Sequence, residues 1–302
     1  MTYSILARDP ETGQLGYGAQ SHFFGVGRLV GWTEPGVGVV ATQALVNLDF
    51  GPHGLAAMAR GEQPDDIQAA LVDGDRFSRY RQFAMVDAAG RTCSHTGSAC
   101  VPMAGHATGD AVVAQGNMLA DHAVYKEMIA AYADTAGPLA QRILAAMQAA
   151  EKAGGDARGS QSAVLKVVSG KRSETPWAQT LVDIRVDDHA DPIAELARQL
   201  PLHDAFVAVG GVVFAPRLMM GEYRDVPIEE LEETLAGLEA ADDALGDNLE
   251  AAFWRAALLA RAGRRGDAIA AFRALFLRGP HLRDYLANVG AAGIVPNAND
   301  YL

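Results

Sequence analysis

Cysteine is scarce. Cys93 and Cys100 are the only two, too few for a disulfide framework and without the paired spacing of a zinc site. They read as two isolated thiols of a core in a reducing compartment. Basic residues are also in deficit, 25 Lys and Arg against 37 Asp and Glu, for a formal charge of -12. No Lys or Arg cluster offsets that balance, so nucleic acid is not an expected partner. No apolar run approaches the roughly 18 residues of a membrane span. The longest, Ala205 to Pro216, is short and broken by Gly210-Gly211, so no membrane partner is expected. The N-terminal Met1-Thr2-Tyr3-Ser4 passes straight into Ile5-Leu6-Ala7-Arg8-Asp9, with no basic segment ahead of an apolar one. A cytoplasmic location is the expectation that follows.

Cofactor and metal signatures are missing as well. Gly36-Val37-Gly38 lacks the third glycine and the following helix of a dinucleotide fingerprint, and no phosphate loop occurs. No cofactor is expected. His22, His53, His95, His106 and His122 are scattered without a pair at helical ligand spacing, so no metal is expected. Ser21-His22 has no nucleophile elbow around it, and triad members meet in space rather than in sequence. The acids of Asp187-Asp188-His189-Ala190-Asp191 precede Pro192, where they suit a helix N-terminus.

Apolar material, in contrast, is plentiful. Hydrophobic residues make up 49% of 302 positions, enough for a sizeable core and more than one domain usually holds. Tyr3 to Arg8 and Leu15 to Ser21 read as strands of a hairpin around Asp9-Pro10-Glu11-Thr12-Gly13. Further strands are expected at Val37 to Ala44, Arg81 to Asp87, Arg91 to Thr96 and Ala111 to Gln115, with helices near His53 and over Asp65 to Val72. Helical spacing takes over from Ala120 to Tyr132 and from Leu139 to Lys152, and Ala153-Gly154-Gly155 supplies a stop. Strands return at Ser162 to Val168 and Thr180 to Val186, before a helix from Pro192 to Leu200. That order suits an α+β fold with antiparallel sheets and segregated helices.

The expected division is a domain over residues 1–204, a linker over 205–227 and an all-α helical domain over 228–302. Trp254, Leu258, Leu259, Ala268, Phe272 and Leu275 resemble one tetratricopeptide-like helix pair. A single copy suits a docked appendage better than a solenoid. Phe253, Trp254, Phe272 and Phe276 stand at spacings that build a core between helices.

Thr2 is the sharpest chemical feature. Once the initiator Met1 is trimmed, its hydroxyl lies beside a free α-amine of pKa near 8, a general base for the hydroxyl without a His partner. Such a residue at the head of a hairpin whose second strand ends Gly18-Ala19-Gln20-Ser21 resembles the start of N-terminal-nucleophile (Ntn) hydrolases. Thr2-Tyr3-Ser4-Ile5-Leu6-Ala7-Arg8-Asp9, Gly38-Val39-Val40-Ala41-Thr42-Gln43-Ala44, Gln115-Gly116-Asn117-Met118-Leu119 and the run from Gly154 to Ala163 together resemble a bacterial domain-of-unknown-function family of that superfamily. The resemblance covers roughly residues 1 to 200.

It implies a four-layer αββα sandwich and amide hydrolysis by Thr2, with a small-molecule or peptide amide as substrate. Gln20 stands where those proteins carry an acid, and a neutral amide cannot tune the α-amine as a carboxylate does. A non-catalytic binding or scaffold protein on the same fold is therefore the alternative. Candidate substrate-binding residues are Gln20, Ser21, Thr42, Gln43, Asn117, Asp156 and Arg158. Asn117 reads equally as a helix N-cap, and Asp156 with Arg158 as a local ion pair. Some members of the family carry a C-terminal segment described as peptidoglycan-binding, which implies a cell-wall fragment as a partner of the tail. The tail's own residues point instead to docking on protein. A homo-oligomer is left open.

Overall fold

The computed structural model describes residues 2–302, divided into two compact units between Arg198 and Gln199. In the first unit, β1 (Thr2–Arg8) and β2 (Leu15–Ser21) form the expected hairpin, its turn closed by the Asp9 carboxylate accepting the N–H groups of Glu11 and Thr12. There follow β3 (Gly31–Glu34), β4 (Gly38–Ala44), α1 (Phe50–Ala59), α2 (Pro64–Gly74), β5 (Arg81–Asp87), β6 (Thr92–Thr96), β7 (Gly105–Gly109) and β8 (Val112–Asn117). Then come α3 (Ala123–Asp134), α4 (Leu139–Lys152), β9 (Ser162–Val168), β10 (Thr180–Val186) and α5 (Pro192–Val213).

The strands make two antiparallel sheets, ordered β10-β9-β2-β1-β8-β7 and β3-β4-β5-β6. The fold is thus the expected α+β mixture. Alternation along β1 sends Thr2, Ser4 and Leu6 to one face and Tyr3, Ile5 and Ala7 to the other. Leu6 joins Tyr17, Val39, Ala41, Ala84 and Val86 in the apolar cluster that binds the two sheets face to face. On its other face the larger sheet meets α3 and α4, and Tyr3 donates to Glu151 Oε1 at 2.6 Å. Burial, then Glu151, pushes that phenol well above its usual pKa. Gly18 allows α4 this approach, since a Cβ there would lie 2.3 Å from Met147 Sδ. Helices α1 and α2 cover the smaller sheet, where Val40, Phe83 and Met85 pack with Leu55, Met58 and Ile67.

Most expected elements appear within a few residues of their predicted bounds. Strands β3 and β7 went unpredicted: β3 is half-buried along its length and β7 alternates half-buried and exposed positions, so neither shows a full apolar stripe. Cys93 is buried, its thiol pushed up to about 12 by burial, and Cys100 is half-buried. Among the described residues no helix is long and apolar enough to cross a membrane.

The second unit comprises the end of α5 with α6 (Ile228–Leu245), α7 (Glu250–Arg261), α8 (Arg265–Arg278) and α9 (Leu282–Ala291). Phe253, Trp254, Phe272 and Phe276 are buried in its core, as their spacing predicts. Arg261 is buried too, donating to the carbonyls of Leu218 and Gly221 at 2.6 Å each and to that of Ile294.

The expected linker over 205–227 and the boundary at 204 need correction. The predicted helix from Pro192 to Leu200 continues through Pro201 to Val213, and Ala205, Val209 and Val212 lie in the core of the second unit. Leu218 and Met219 join them. A fragment starting at residue 228 should therefore be less stable than one starting at 199 by at least about 3 kcal/mol, given the apolar side chains it forfeits. Urea unfolding of both fragments checks this, and equal midpoints would refute it.

Candidate functional site

Thr2 opens β1 in register with Asn117 of β8, and, one step beyond the Tyr3–Gln20 pair of β1 and β2, it is set against Ser21. Residues directly opposite on neighbouring strands share a face, so all three side chains turn toward the second sheet. The Thr2 hydroxyl donates to Ser21 Oγ at 3.1 Å, and the residue is almost wholly buried. Its backbone carbonyl accepts from Gln43 Nε2 at 3.0 Å and from Asn117 Nδ2 at 3.4 Å. Thr2 is thus gripped from both sheets.

Behind it lies a network of neutral amides. Gln82 Oε1 accepts from Gln43 Nε2 at 2.8 Å and from Asn117 Nδ2 at 3.0 Å. Gln82 Nε2 in turn lies within reach of the carbonyls of Gly105 and Gly116 and the Thr96 hydroxyl, at 2.8 to 3.0 Å. Ser4 donates to Gln43 Oε1 at 2.8 Å, while Gln115 Nε2 donates to Ser4 Oγ and the Ala41 carbonyl at 3.2 Å each. Ser4, Gln82, Gln115 and Asn117 are all fully buried. The groups named here are all neutral, so the network is held by dipoles in a buried gap where each unmade bond is costly.

A pocket of about 110 Å³ opens beside Thr2 and Ser21, walled by Val26, Val30 and Val46. Its rim includes Ala44, held at φ 68, and Met118 after β8 is likewise left-handed at φ 53. Arg81 braces the rim. Its guanidinium donates to the carbonyls of Leu45 and Val46 and pairs with Asp75 at 2.8 Å. Burial alone would raise the Asp75 pKa, but hydrogen bonds from Arg81 and the Phe77 amide outweigh it and hold the carboxyl below its usual value.

The candidate residues separate into those at the pocket and those beside it. Thr2, Ser21, Thr42 and Gln43 line it, and Asn117 stands behind Thr2 at the end of β8, not at a helix N-cap. Gln20 is a correction. It pairs with Tyr3 and shares the face covered by α4, the opposite face from Thr2, so it does not occupy a supporting position beside the nucleophile. Its amide atoms have no hydrogen-bond partner among the described residues. The Thr42 N–H is spent on the Val30 carbonyl at 2.9 Å. Asp156 and Arg158 form the local ion pair, at 3.3 Å, with the Asp156 carboxylate also accepting the His22 and Arg158 amides. They fix the chain just beyond Ser21. Gln82, Ser4 and Arg81 went unsingled in the sequence. A glutamine in phase with Ala84 and Val86 on a strand was the available signal for Gln82. The expected trimming of Met1 concerns a residue outside the described ones.

Fold and site together define an α+β protein whose two antiparallel sheets hold a strand-opening threonine at a small pocket. The chain belongs to DUF1028, a family of unknown function whose model matches residues 2–196. The crystal structure of protein SPO2555 from Silicibacter pomeroyi, a DUF1028 protein, is 33% identical with a TM-score of 0.59, over 65% of this chain and 86% of that one. None of the curated proteins matches the chain.

Replacing Gln82 by Leu should cost about 3 kcal/mol or more, since it strands several buried donors and acceptors at once. Urea unfolding of the full chain measures the loss; a cost under 1 kcal/mol would show that the network relaxes without it. The Asp75–Arg81 brace should respond to acid. A carboxyl whose folded pKa is depressed contributes stability above its unfolded value near 4 and loses it as pH falls through the folded value. Amide exchange at residues 44–48, corrected for its intrinsic pH dependence, should therefore lose protection below about pH 4 in the native protein. In Asp75→Asn that protection should already be reduced at pH 6.

Proposed function

We propose that the chain is an amidohydrolase of the N-terminal-nucleophile type, on a four-layer αββα sandwich, with Thr2 as nucleophile. The observation that carries this reading is the Thr2 hydroxyl in the pocket wall, fixed through its own carbonyl by Gln43 and Asn117. With Met1 removed, the α-amine takes the hydroxyl proton while Oγ1 attacks the amide carbonyl carbon. Ser21 Oγ holds the hydroxyl in orientation. The tetrahedral intermediate collapses as the amine returns the proton to the leaving nitrogen, the C–N bond breaks, and an ester on Thr2 remains. Water then hydrolyses the ester, releasing the acid and restoring the hydroxyl.

Since the Thr42 amide is engaged, we assign the oxyanion contact to the N–H of Ala44, which strand alternation directs to the same edge as that of Thr42. No carboxylate is among the described pocket-lining residues, and the base in this scheme is the α-amine. Its pKa near 8 leaves a minority as free base at pH 7 and a majority at pH 9.

A small β-lactone tests the mechanism without knowledge of the substrate, because ring opening by a nucleophilic hydroxyl leaves the whole lactone attached as an ester. Intact mass and peptide mapping should place one adduct on Thr2 of the trimmed chain, forming faster at pH 9 than at pH 7. Thr2→Ala and a chain retaining Met1 should stay unlabelled, and Thr2→Ser should label. A trimmed chain that acquires no adduct at Thr2 would overturn the assignment.

A further inference from the structure

Every described residue in the pocket lining is uncharged, and beyond Thr2, Ser21, Thr42 and Gln43 the described lining is apolar. Of the apolar lining, Val26 and Val30 are buried, while Leu29 and Val46 are half-buried. Phe23, itself part of the lining, is 50% exposed, and the same segments carry further exposed apolar side chains: Phe24 at 57%, Leu45 and Leu48 at 58% and 46%. Sequence neighbours of the pocket wall thus keep large apolar groups in water on both sides of the opening, where solubility alone would favour polar ones. At about 110 Å³ the space is smaller than the ~150 Å³ apolar cavity that accepts a benzene ring. A branched aliphatic group of three or four carbons fits it; a carboxylate or ammonium entering it would be desolvated with no counter-charge from the described side chains of the lining.

We propose that this pocket selects the acyl side of the substrate, and that the substrates are amides of short, branched, uncharged aliphatic acids. The proposal rests on the nucleophile reading only for where the scissile carbonyl lies. Thr2 marks that carbonyl, so a group attached to its carbon reaches Val26 and Val30, with Phe23 and Leu45 shielding it from water. Selectivity comes from burial: each methylene removed from water counts about fourfold in affinity. Isovaleramide, three carbons longer than acetamide, should bind about 50-fold tighter.

Ligand-observed NMR titration of the full-length Thr2→Ala chain measures binding without turnover, with isovaleramide, acetamide and succinamate as probes. Isovaleramide should bind at least tenfold tighter than either other amide. Leu29→Asp, which puts a charge at a half-buried wall position, and Val46→Trp, which fills the space, should each weaken isovaleramide at least tenfold; if one fails to fold, the other decides. Absence of isovaleramide binding, equal or better binding of acetamide or succinamate, or indifference to the folded variants would overturn the proposal. Hydrolysis of isovaleryl 4-nitroanilide by the trimmed wild-type chain is followed separately. Binding without hydrolysis would count against the nucleophile and leave the pocket's selectivity standing, whereas hydrolysis of succinyl 4-nitroanilide in preference would do the reverse.

Discussion

A backbone carbonyl trapped between two sheets has to be hydrogen-bonded, and at Thr2 that requirement organises the site. The donors come from both layers: Asn117 from the strand beside β1, and Gln43 from the facing sheet. Both also give a proton to the single oxygen of Gln82, whose nitrogen is committed to carbonyls and a hydroxyl around the ends of β6, β7 and β8. A lateral slip of one sheet over the other would break several of these bonds together, and each orphaned group would pay its desolvation in a medium that cannot repay it. Apolar contacts such as Leu6 against Val39 and Ala84 pull the sheets together but tolerate small displacements. The amides supply the direction that burial lacks.

That arrangement sorts the neighbouring residues by parity. Ser21 reaches the Thr2 hydroxyl because it is directly opposite on β2, while Gln20, one residue earlier, is turned into the layer under α4. Sequence motifs list both together, and only the register separates a pocket residue from one behind the sheet. Thr42 and Gln43 both line the pocket, yet their side chains part by the same parity: Gln43 shares the inner face with Ala41 and Val39, whereas the Thr42 side chain shares the outer face with Val40.

Much of the fold was legible because burial imposes period: β5, β9, β10 and α4 are strongly apolar on the faces they bury, and their ends carry Gly, Pro or charged residues. Strands β3 and β7 lack a continuous buried stripe and so leave little trace. Pro201 misleads in a specific way. Its missing N–H and ring argue for a helix end at Leu200, yet the apolar residues Ala205, Val209 and Val212 beyond it recur at helical spacing and have a core to enter, which outweighs the local penalty. Of the site, Thr2 was visible from its position and the strand ends from their motifs. Gln82 left only its phase with Ala84 and Val86 as a signal, and one polar residue in an apolar strand does not name its partners.

Of the six non-glycine residues with positive φ among the described ones, two stand at the site. Ala44 and Met118 are held in the left-handed region at the ends of β4 and β8, a conformation costing each roughly 1 to 2 kcal/mol. Neither is glycine, so the cost is borne by the surroundings. The residue before Ala44 is Gln43 and the residue before Met118 is Asn117, the two that grip Thr2. Beyond Ala44, Arg81 fastens the carbonyls of Leu45 and Val46 and is itself fastened by Asp75. A relaxed backbone at either position would swing the strand end and carry the gripping amide or the pocket rim with it. The network inside the sandwich and the brace outside it therefore hold against a local preference of the chain, and they do so where Thr2 meets the pocket.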